Sequence, residues 1–278
     1  MHTPRKRFSQ NFLTDSFIIS KIINSLNLSS ESNTTPRVIE IGPGQGALTK
    51  PLLNLFKQLT VIEIDRDLIL KLETDYAHNP DLTIIGADAL AFDFKTLWDV
   101  NKPDSKLKII GNLPYNISTP LLFHLFTYNN YIEDMHFMLQ KEVVDRMVAR
   151  PNSKTYGRLS VMTQYFCHAQ ALFLVPPTSF FPAPKVESAI VRLTPHNEAN
   201  QFSHSASFYK LFDNIVKTAF SKRRKTLSNA LKELITKDHL EHLGINPLLR
   251  AENLEIKDYI LITDFLNNLQ DIKKNESI

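Results

Sequence analysis

The chain has 278 residues, 43% of them hydrophobic and 22% charged, with a formal net charge of +3. This describes a soluble globular protein large enough for one sizeable domain plus a small one, with no need of covalent staples. A lone cysteine (Cys167), the lack of any apolar run of bilayer length and the lack of an apolar core or cleavage site after the basic start MHTPRKRFSQNFLTDSF exclude a disulfide scaffold, a membrane span and an export signal, so a cytoplasmic protein is expected.

The first ten residues carry Arg5, Lys6 and Arg7, a cationic cluster that alone is no more than a solvated basic face. From residue 38 the pattern alternates short β-branched runs with helical spacing. Strands are predicted at Val38–Ile41, Thr60–Ile64, Leu82–Gly86, Leu107–Gly111, Asp134–Gln140 and Ala189–Leu193, with helices at Leu48–Phe56, Leu68–Tyr76 and Thr119–Phe126. Such alternation predicts a doubly wound, mostly parallel α/β sheet, in which ligands bind at the carboxyl ends of the strands.

The first strand runs into a glycine-rich turn, VIEIGPGQGALT (38–49). Gly42, Gly44 and Gly46 do not meet the dinucleotide spacing, and the Lys-Ser/Thr pair of a phosphate loop is missing. With Glu40 before it, the turn suits a ligand that has a ribose and a zwitterion but no phosphates. Glu63 ends the second strand, where a carboxylate accepts hydrogen bonds from ribose hydroxyls. Asp88 follows the third, where a carboxylate and nearby backbone N–H groups can read an adenine edge. Three such features at consecutive strand ends point to S-adenosylmethionine.

At the fourth strand end stands IIGNLPYNIS (109–118). The exocyclic amine of adenine is a poor nucleophile because its lone pair is delocalised into the ring. Two acceptors on its N–H hydrogens would pull the nitrogen toward tetrahedral geometry and aim the lone pair at a methyl donor. The Asn112 amide oxygen and the Leu113 backbone carbonyl are those acceptors, Pro114 stiffens the turn, and Tyr115 offers a stacking face. Catalysis of this kind is positioning and preorganised electrostatics and calls for no metal. Further on, SFFPAPKVESAIVRL (179–193) places Phe180 before an extended Pro-x-Pro-Lys segment, either as a second platform for an extruded base or as a core phenylalanine beside a kinked strand.

After the polar stretch 194–206 only helical periodicity continues, with turn signals at Gly244, Asn246 and Pro247. This predicts a cofactor-binding domain over 1–202 and a small all-helical domain over 203–278. Six basic residues between Lys210 and Lys225, including Lys222, Arg223, Arg224 and Lys225, face Asp213 alone, which suits a polyanionic partner.

RFSQNFL, EIGPGQGALT, VIEIDRDL, GNLPYNISTPLLFHL, MHFMLQKEVVDRM, YGRLSVM and FFPAPKVESAIVRL, in that order, resemble the motifs of the ribosomal RNA adenine dimethyltransferase family, and within it those of the bacterial small-subunit branch, over nearly the whole chain. The resemblance implies a Rossmann-like class I S-adenosylmethionine-dependent methyltransferase fold and the transfer of two methyl groups to each of two adjacent adenines in the 3′-terminal hairpin loop of 16S rRNA. The substrate it implies is a nearly assembled small subunit, hence a place in ribosome biogenesis. It implies that Asn11, Leu13, Gly42, Glu63, Asp88 and Asn112 contact the cofactor, and that Asn112, Leu113, Tyr115 and Phe180 hold the base. From its residues alone, QNFL reads as a helix N-cap region. Lys222 to Lys225, Arg5 to Arg7, and Lys154 and Arg158 of the loop RPNSKTYGRLS (150–160) are then expected to follow rRNA phosphates, on a monomeric protein. The competing readings are a large-subunit rRNA dimethyltransferase, a DNA adenine methyltransferase, and an assembly or transcription factor that keeps the fold.

Overall fold

The structure, a computed structural model, describes residues 11–26, 36–196 and 205–275. Arg5, Lys6 and Arg7 lie outside the described residues. The chain divides into two compact units, residues 1–144 with 168–195, and residues 145–167 with 196–278.

The first unit is built on a seven-stranded sheet. Its strands are β2 (Arg37–Ile41), β3 (Leu59–Glu63), β4 (Leu82–Gly86), β5 (Leu107–Asn112), β6 (Ile132–Gln140), β7 (Cys167–Val175) and β9 (Ser188–Pro195). They lie in the order β4-β3-β2-β5-β6-β9-β7. From β4 to β6 neighbouring strands are parallel, joined through α2 (Thr49–Phe56), α3 (Arg66–Asp75) and α4 (Ser118–Phe126). The β9 strand then pairs antiparallel with β6. The parallel strands are nearly continuous apolar runs, as burial on both faces requires: Ile39, Val61, Ile62, Ile109 and Ile110 are all buried. The order reverses at β2, which has β3 on one side and β5 on the other. That switch point opens a crevice at the strands' carboxyl ends.

A two-stranded ribbon, β1 (Phe12–Leu13) with β8 (Phe180–Phe181), is absent from the sequence reading. Two-residue strands leave no periodicity to detect. QNFL therefore contains a strand rather than a helix cap; the cap of α1 (Ser16–Ser25) is Asp15, whose carboxylate accepts from the Phe17 and Ile18 N–H groups. The Ser179 hydroxyl donates to the same carboxylate, and the Thr14 N–H donates to the Ser179 carbonyl at 2.9 Å. These hydrogen bonds hold Asp15 below the usual carboxylate range and tie the N-terminal segment to the turn before β8.

One strand contact dictates its residue. A Cβ on Gly111 of β5 would stand 2.7 Å from the Ile41 carbonyl oxygen and 2.9 Å from the Leu113 side chain. Only glycine lets β2 and β5 lie together there and still turn into Asn112. At the opposite end of β5 a buried charge cluster sets the register. Lys108 and Arg192 both reach the Asp134 carboxylate, at 2.5 and 2.9 Å, and burial pushes the adjacent His136 down to about 4.

After β6 the chain enters α5 (Lys141–Met147), within which the division between the units falls. The second unit is helical: α6 (Arg158–Phe166), α7 (Ala206–Ser221), α8 (Leu227–Ala230), α9 (Lys237–His242) and α10 (Ile256–Asn275). This division differs from the single boundary expected near 203, because residues 145–167 group with the helical unit. The cause is aromatic packing. Tyr165 of α6 lies 4.3 Å, ring to ring, from Phe212 of α7, and the buried Tyr156 donates its hydroxyl to the Leu254 carbonyl. Gly244, at φ 73°, supplies the expected turn after α9.

Gly111→Ala is expected to lower stability by roughly 1–3 kcal/mol through overpacking of β2 against β5. Urea unfolding checks this, and an unchanged midpoint would contradict the steric account.

A cofactor and base cavity at the strand ends

The carboxyl ends of β2, β3, β4 and β5, together with the β1–β8 ribbon, enclose one cavity. Its lining includes Asn11, Leu13, Gly42, Glu63, Asp88, Asn112, Leu113, Tyr115 and Phe180. Every residue expected to touch cofactor or base thus meets in one place, although these positions run from the start of the described chain to the far side of the sheet.

The floor is the turn after β2, where Gly42, Gly44 and Gly46 all have positive φ (66°, 59° and 85°). An L side chain at these positions would be strained, so the backbone itself faces the cavity. Beneath it lies Glu40, 2% exposed, which accepts a 2.7 Å hydrogen bond from the Thr49 hydroxyl. Burial pushes its carboxyl up to about 8, offset in part by Thr49 and reinforced by Glu63. At neutral pH this acid is mostly protonated.

Glu63 is arranged differently. Its Oε1 accepts the N–H groups of Ile64 and Asp65, each at 2.9 Å, while Oε2 receives only a long 3.3 Å bond from Gly44 N–H. Burial raises its carboxyl and these backbone donors lower it again, with burial the larger effect. The second oxygen keeps acceptor capacity toward the cavity, which is what a ribose diol requires. Beside it the half-exposed Ile64 offers an apolar face, a feature invisible in the sequence because that residue reads as the end of a strand. Asp88 is exposed and accepts the Leu90 N–H at 2.9 Å with Oδ1, leaving its other oxygen open. Carboxylate oxygens with acceptor capacity left, an apolar face and a bare glycine backbone fit a nucleoside that carries no phosphates.

The reacting side depends on Asn112. Its amide Nδ2 donates to the Asn11 backbone carbonyl at 3.1 Å. That bond occupies the donor end of the carboxamide and leaves Oδ1 as its acceptor end. Leu113 is buried, its N–H donating to the Met138 carbonyl at 3.3 Å, so the segment that carries the Leu113 carbonyl is anchored on β6. The Tyr115 hydroxyl and Ser188 Oγ of β9 lie 2.8 Å apart, which fixes the phenol ring. Ser188 is a positioning residue that nothing in the sequence singles out. Phe180 is 5% exposed and packs with Leu13, Val175 and Ile190 while still lining the cavity. Both readings of Phe180 are compatible with this place, since the ring is a core residue that forms a wall.

In the second unit, Lys222, Arg223, Arg224 and Lys225 form an exposed turn after α7. Arg223 is engaged at home: Nε donates to Glu252 Oε2 and Nη2 to the Lys154 carbonyl, both at 2.7 Å. Arg158 is likewise held on Asp213 at 2.7 Å. Arg158 thus ties α6 to α7 and Arg223 ties the turn after α7 to the loop at Lys154, whereas Lys154, Lys222, Arg224 and Lys225 are exposed.

A sheet in the order 4-3-2-5-6-9-7 with a cavity at its switch point is the Rossmann-like class I methyltransferase fold. Residues 1–268 match the family model described as ribosomal RNA adenine dimethylase, and the chain belongs to that family. Its relatives include a "Ribosomal RNA small subunit methyltransferase A" from Pseudoalteromonas translucida, 50% identical over 95% of each chain. Another of that name, from Enterobacter sp., is 48% identical over 96% of this chain and 94% of its own. Among solved structures, a dimethyladenosine transferase from Plasmodium falciparum superposes with a TM-score of 0.76 at 28% identity, covering 92% of this chain and 98% of that one. The 23S rRNA methyltransferase ErmE, at 23% identity and a TM-score of 0.66 over 92% and 100%, shares the fold. Members of this family are S-adenosylmethionine-dependent rRNA methyltransferases, and this chain is an enzyme of that kind.

The folded pKa of Glu40 lies well above its ordinary 4.5. Folding therefore holds a proton that the unfolded chain releases, and stability should fall as pH rises from about 4.5 to 8. Glu40→Gln should flatten that slope in unfolding experiments; an identical slope in the variant would assign the pH dependence elsewhere.

Proposed function

We propose that the protein dimethylates the N6 amines of two adjacent adenines in the 3′-terminal hairpin loop of 16S rRNA, within near-mature small subunits. The observation that carries this reading is the Asn112 carboxamide, held by the Asn11 carbonyl inside the cavity that also contains Glu63 and Asp88.

S-adenosylmethionine would supply an electrophilic methyl group on sulfur, which keeps the bonding electron pair when the methyl passes to nitrogen. Glu63 would accept from its ribose hydroxyls and Asp88 from its adenine amine, with the Gly42–Gly46 backbone and Leu13 closing around it and Asn11 contributing from the segment before β1. Asn112 Oδ1 and the Leu113 carbonyl would accept the two N–H hydrogens of the target adenine. Those bonds bias the nitrogen toward pyramidal geometry and lift its lone pair out of the ring. Tyr115 and Phe180 would bound the base. After transfer the nitrogen proton leaves to water. Because both acceptors are fixed before substrate arrives, little reorganisation is needed during the reaction.

Lys154, Lys222, Arg224 and Lys225 would follow rRNA phosphates and orient the helical unit without reading sequence. The small-subunit assignment rests on relatives near 50% identity that carry that name, whereas the 23S enzyme is a likeness of fold at 23%. No described helix is long and apolar enough to cross a membrane, and we place the protein in the cytoplasm, acting as a monomer.

Labelled methyl transfer to small and large subunits, supplied separately from a strain lacking the enzyme, should yield two neighbouring dimethyladenosines in the small subunit when the nucleotides are mapped. Label confined to large subunits, or to a single base elsewhere, would overturn the assignment. Asn112→Ala should leave cofactor binding largely intact and lose most turnover. Glu63→Ala should instead weaken cofactor binding by about 1–3 kcal/mol, the worth of a charge-assisted hydrogen bond. Equal effects of both variants on cofactor binding, read by calorimetry, would contradict this division of labour.

A further inference from the structure

Phe181, the neighbour of Phe180, is 68% exposed. A single exposed apolar side chain is common on protein surfaces and by itself signifies little. Its placement is what sets Phe181 apart. It belongs to β8, whose partner β1 aligns Phe181 with Phe12 and Phe180 with Leu13. Side chains alternate along a strand, so the two phenylalanines project to opposite faces of the ribbon. Phe180 and Leu13 turn into the core that backs the cavity, whereas Phe181 shares the other face with Phe12. Phe12 also lines the cavity, packed over Gly44 of the glycine turn. An outward aromatic ring therefore stands on the ribbon that walls the cavity, one residue from the wall itself.

The segment is firmly held. The Thr14 N–H and hydroxyl both donate to the Ser179 carbonyl, and Ser179 donates to Asp15. Downstream, Pro182, Lys185 and Val186 are all exposed, so the outward surface continues past the ribbon to the Lys185 ammonium group.

We propose that Phe181 is a stacking platform for the nucleotide next to the one held in the cavity. This rests on the function proposed above and deepens it. Extruding one of two adjacent adenines strips its neighbour of a stacking partner, and the neighbour must be held while the first reacts. An aromatic face just outside the cavity replaces the lost stack whatever the base, and Lys185 lies in the same segment to meet the connecting phosphate. Because the two adenines take turns as target and neighbour, Phe181 supports both pairs of transfers. Phe180 confines the reacting base, and Phe181 sets the register of the strand that carries it.

The test compares wild-type protein with Phe181→Ala, Phe181→Leu and Phe181→Trp on unmethylated small subunits, with cofactor affinity measured separately. Loss of one base–aromatic stack is expected to raise KM for the subunit about tenfold in the alanine variant. Its kcat and cofactor Kd should stay near wild type, as suits an exposed ring outside the core. Tryptophan should restore KM and leucine should not. A KM unchanged in Phe181→Ala, or leucine restoring it as fully as tryptophan, would overturn the stacking role while leaving the proposed function standing. Wild-type protein that transfers no methyl to small subunits would overturn both.

Discussion

A single hydrogen bond, from the Asn112 amide to the Asn11 carbonyl, decides which end of that carboxamide is left to accept in the cavity. A carboxamide can present either a donor or an acceptor, and only the acceptor end activates an aromatic amine. By engaging Nδ2, the main chain of the N-terminal segment selects the oxygen. Much of the surrounding architecture serves that contact. The β1–β8 ribbon and the Thr14–Ser179 and Asp15–Ser179 bonds hold Asn11 in place. The close approach of β2 and β5 at Gly111 sets where Asn112 leaves the sheet. The Met138 carbonyl anchors the next residue, whose own carbonyl is the second acceptor in the proposed mechanism.

The acids around the cavity divide by environment rather than by residue type. Glu40, buried under the glycine turn with the Thr49 hydroxyl on its carboxyl, is mostly protonated at neutral pH. Glu63, also largely buried, receives three backbone N–H groups that stabilise its charge against the penalty of burial. Asp88 is exposed at the cavity's rim and accepts one backbone N–H, from Leu90. A neutral acid below the turn and hydrogen-bonded carboxylates beside it suit a nucleoside carrying a sulfonium and a zwitterionic tail, and they would repel a phosphate.

The strand ends are legible in the sequence because each of β2, β3, β4 and β5 is an apolar run broken by a residue that has no reason to end a strand there. Glu63, Asp88 and Asn112 announce themselves by interrupting hydrophobic patterns, and the structure brings all three to the same cavity. What stays hidden is what periodicity cannot encode. Two-residue strands have no period, so the ribbon that carries Phe12 and Phe180 reads as cap and loop. The β7 strand escapes detection because only its two end residues are buried and the rest are exposed or partly exposed, without the alternation or continuous burial that marks a strand. Residues 145–167 belong with the helical unit through aromatic contacts far apart in sequence, such as Tyr165 with Phe212. Charge misleads in the same way: a run of four cations looks uniform, yet Arg223 bridges Glu252 and the Lys154 carbonyl. Pairing is a tertiary fact, and sequence shows only valence.

The central claim concerns an oxygen and its direction, so the most direct measurement is a crystal structure of the protein with a non-transferring cofactor analogue and an adenine-bearing RNA fragment. The account predicts the adenine N6 within hydrogen-bond distance of both Asn112 Oδ1 and the Leu113 carbonyl, with the Asn112 amide nitrogen still on Asn11. An amide rotated to present its nitrogen to the base, or an adenine bound without engaging residue 112, would contradict it.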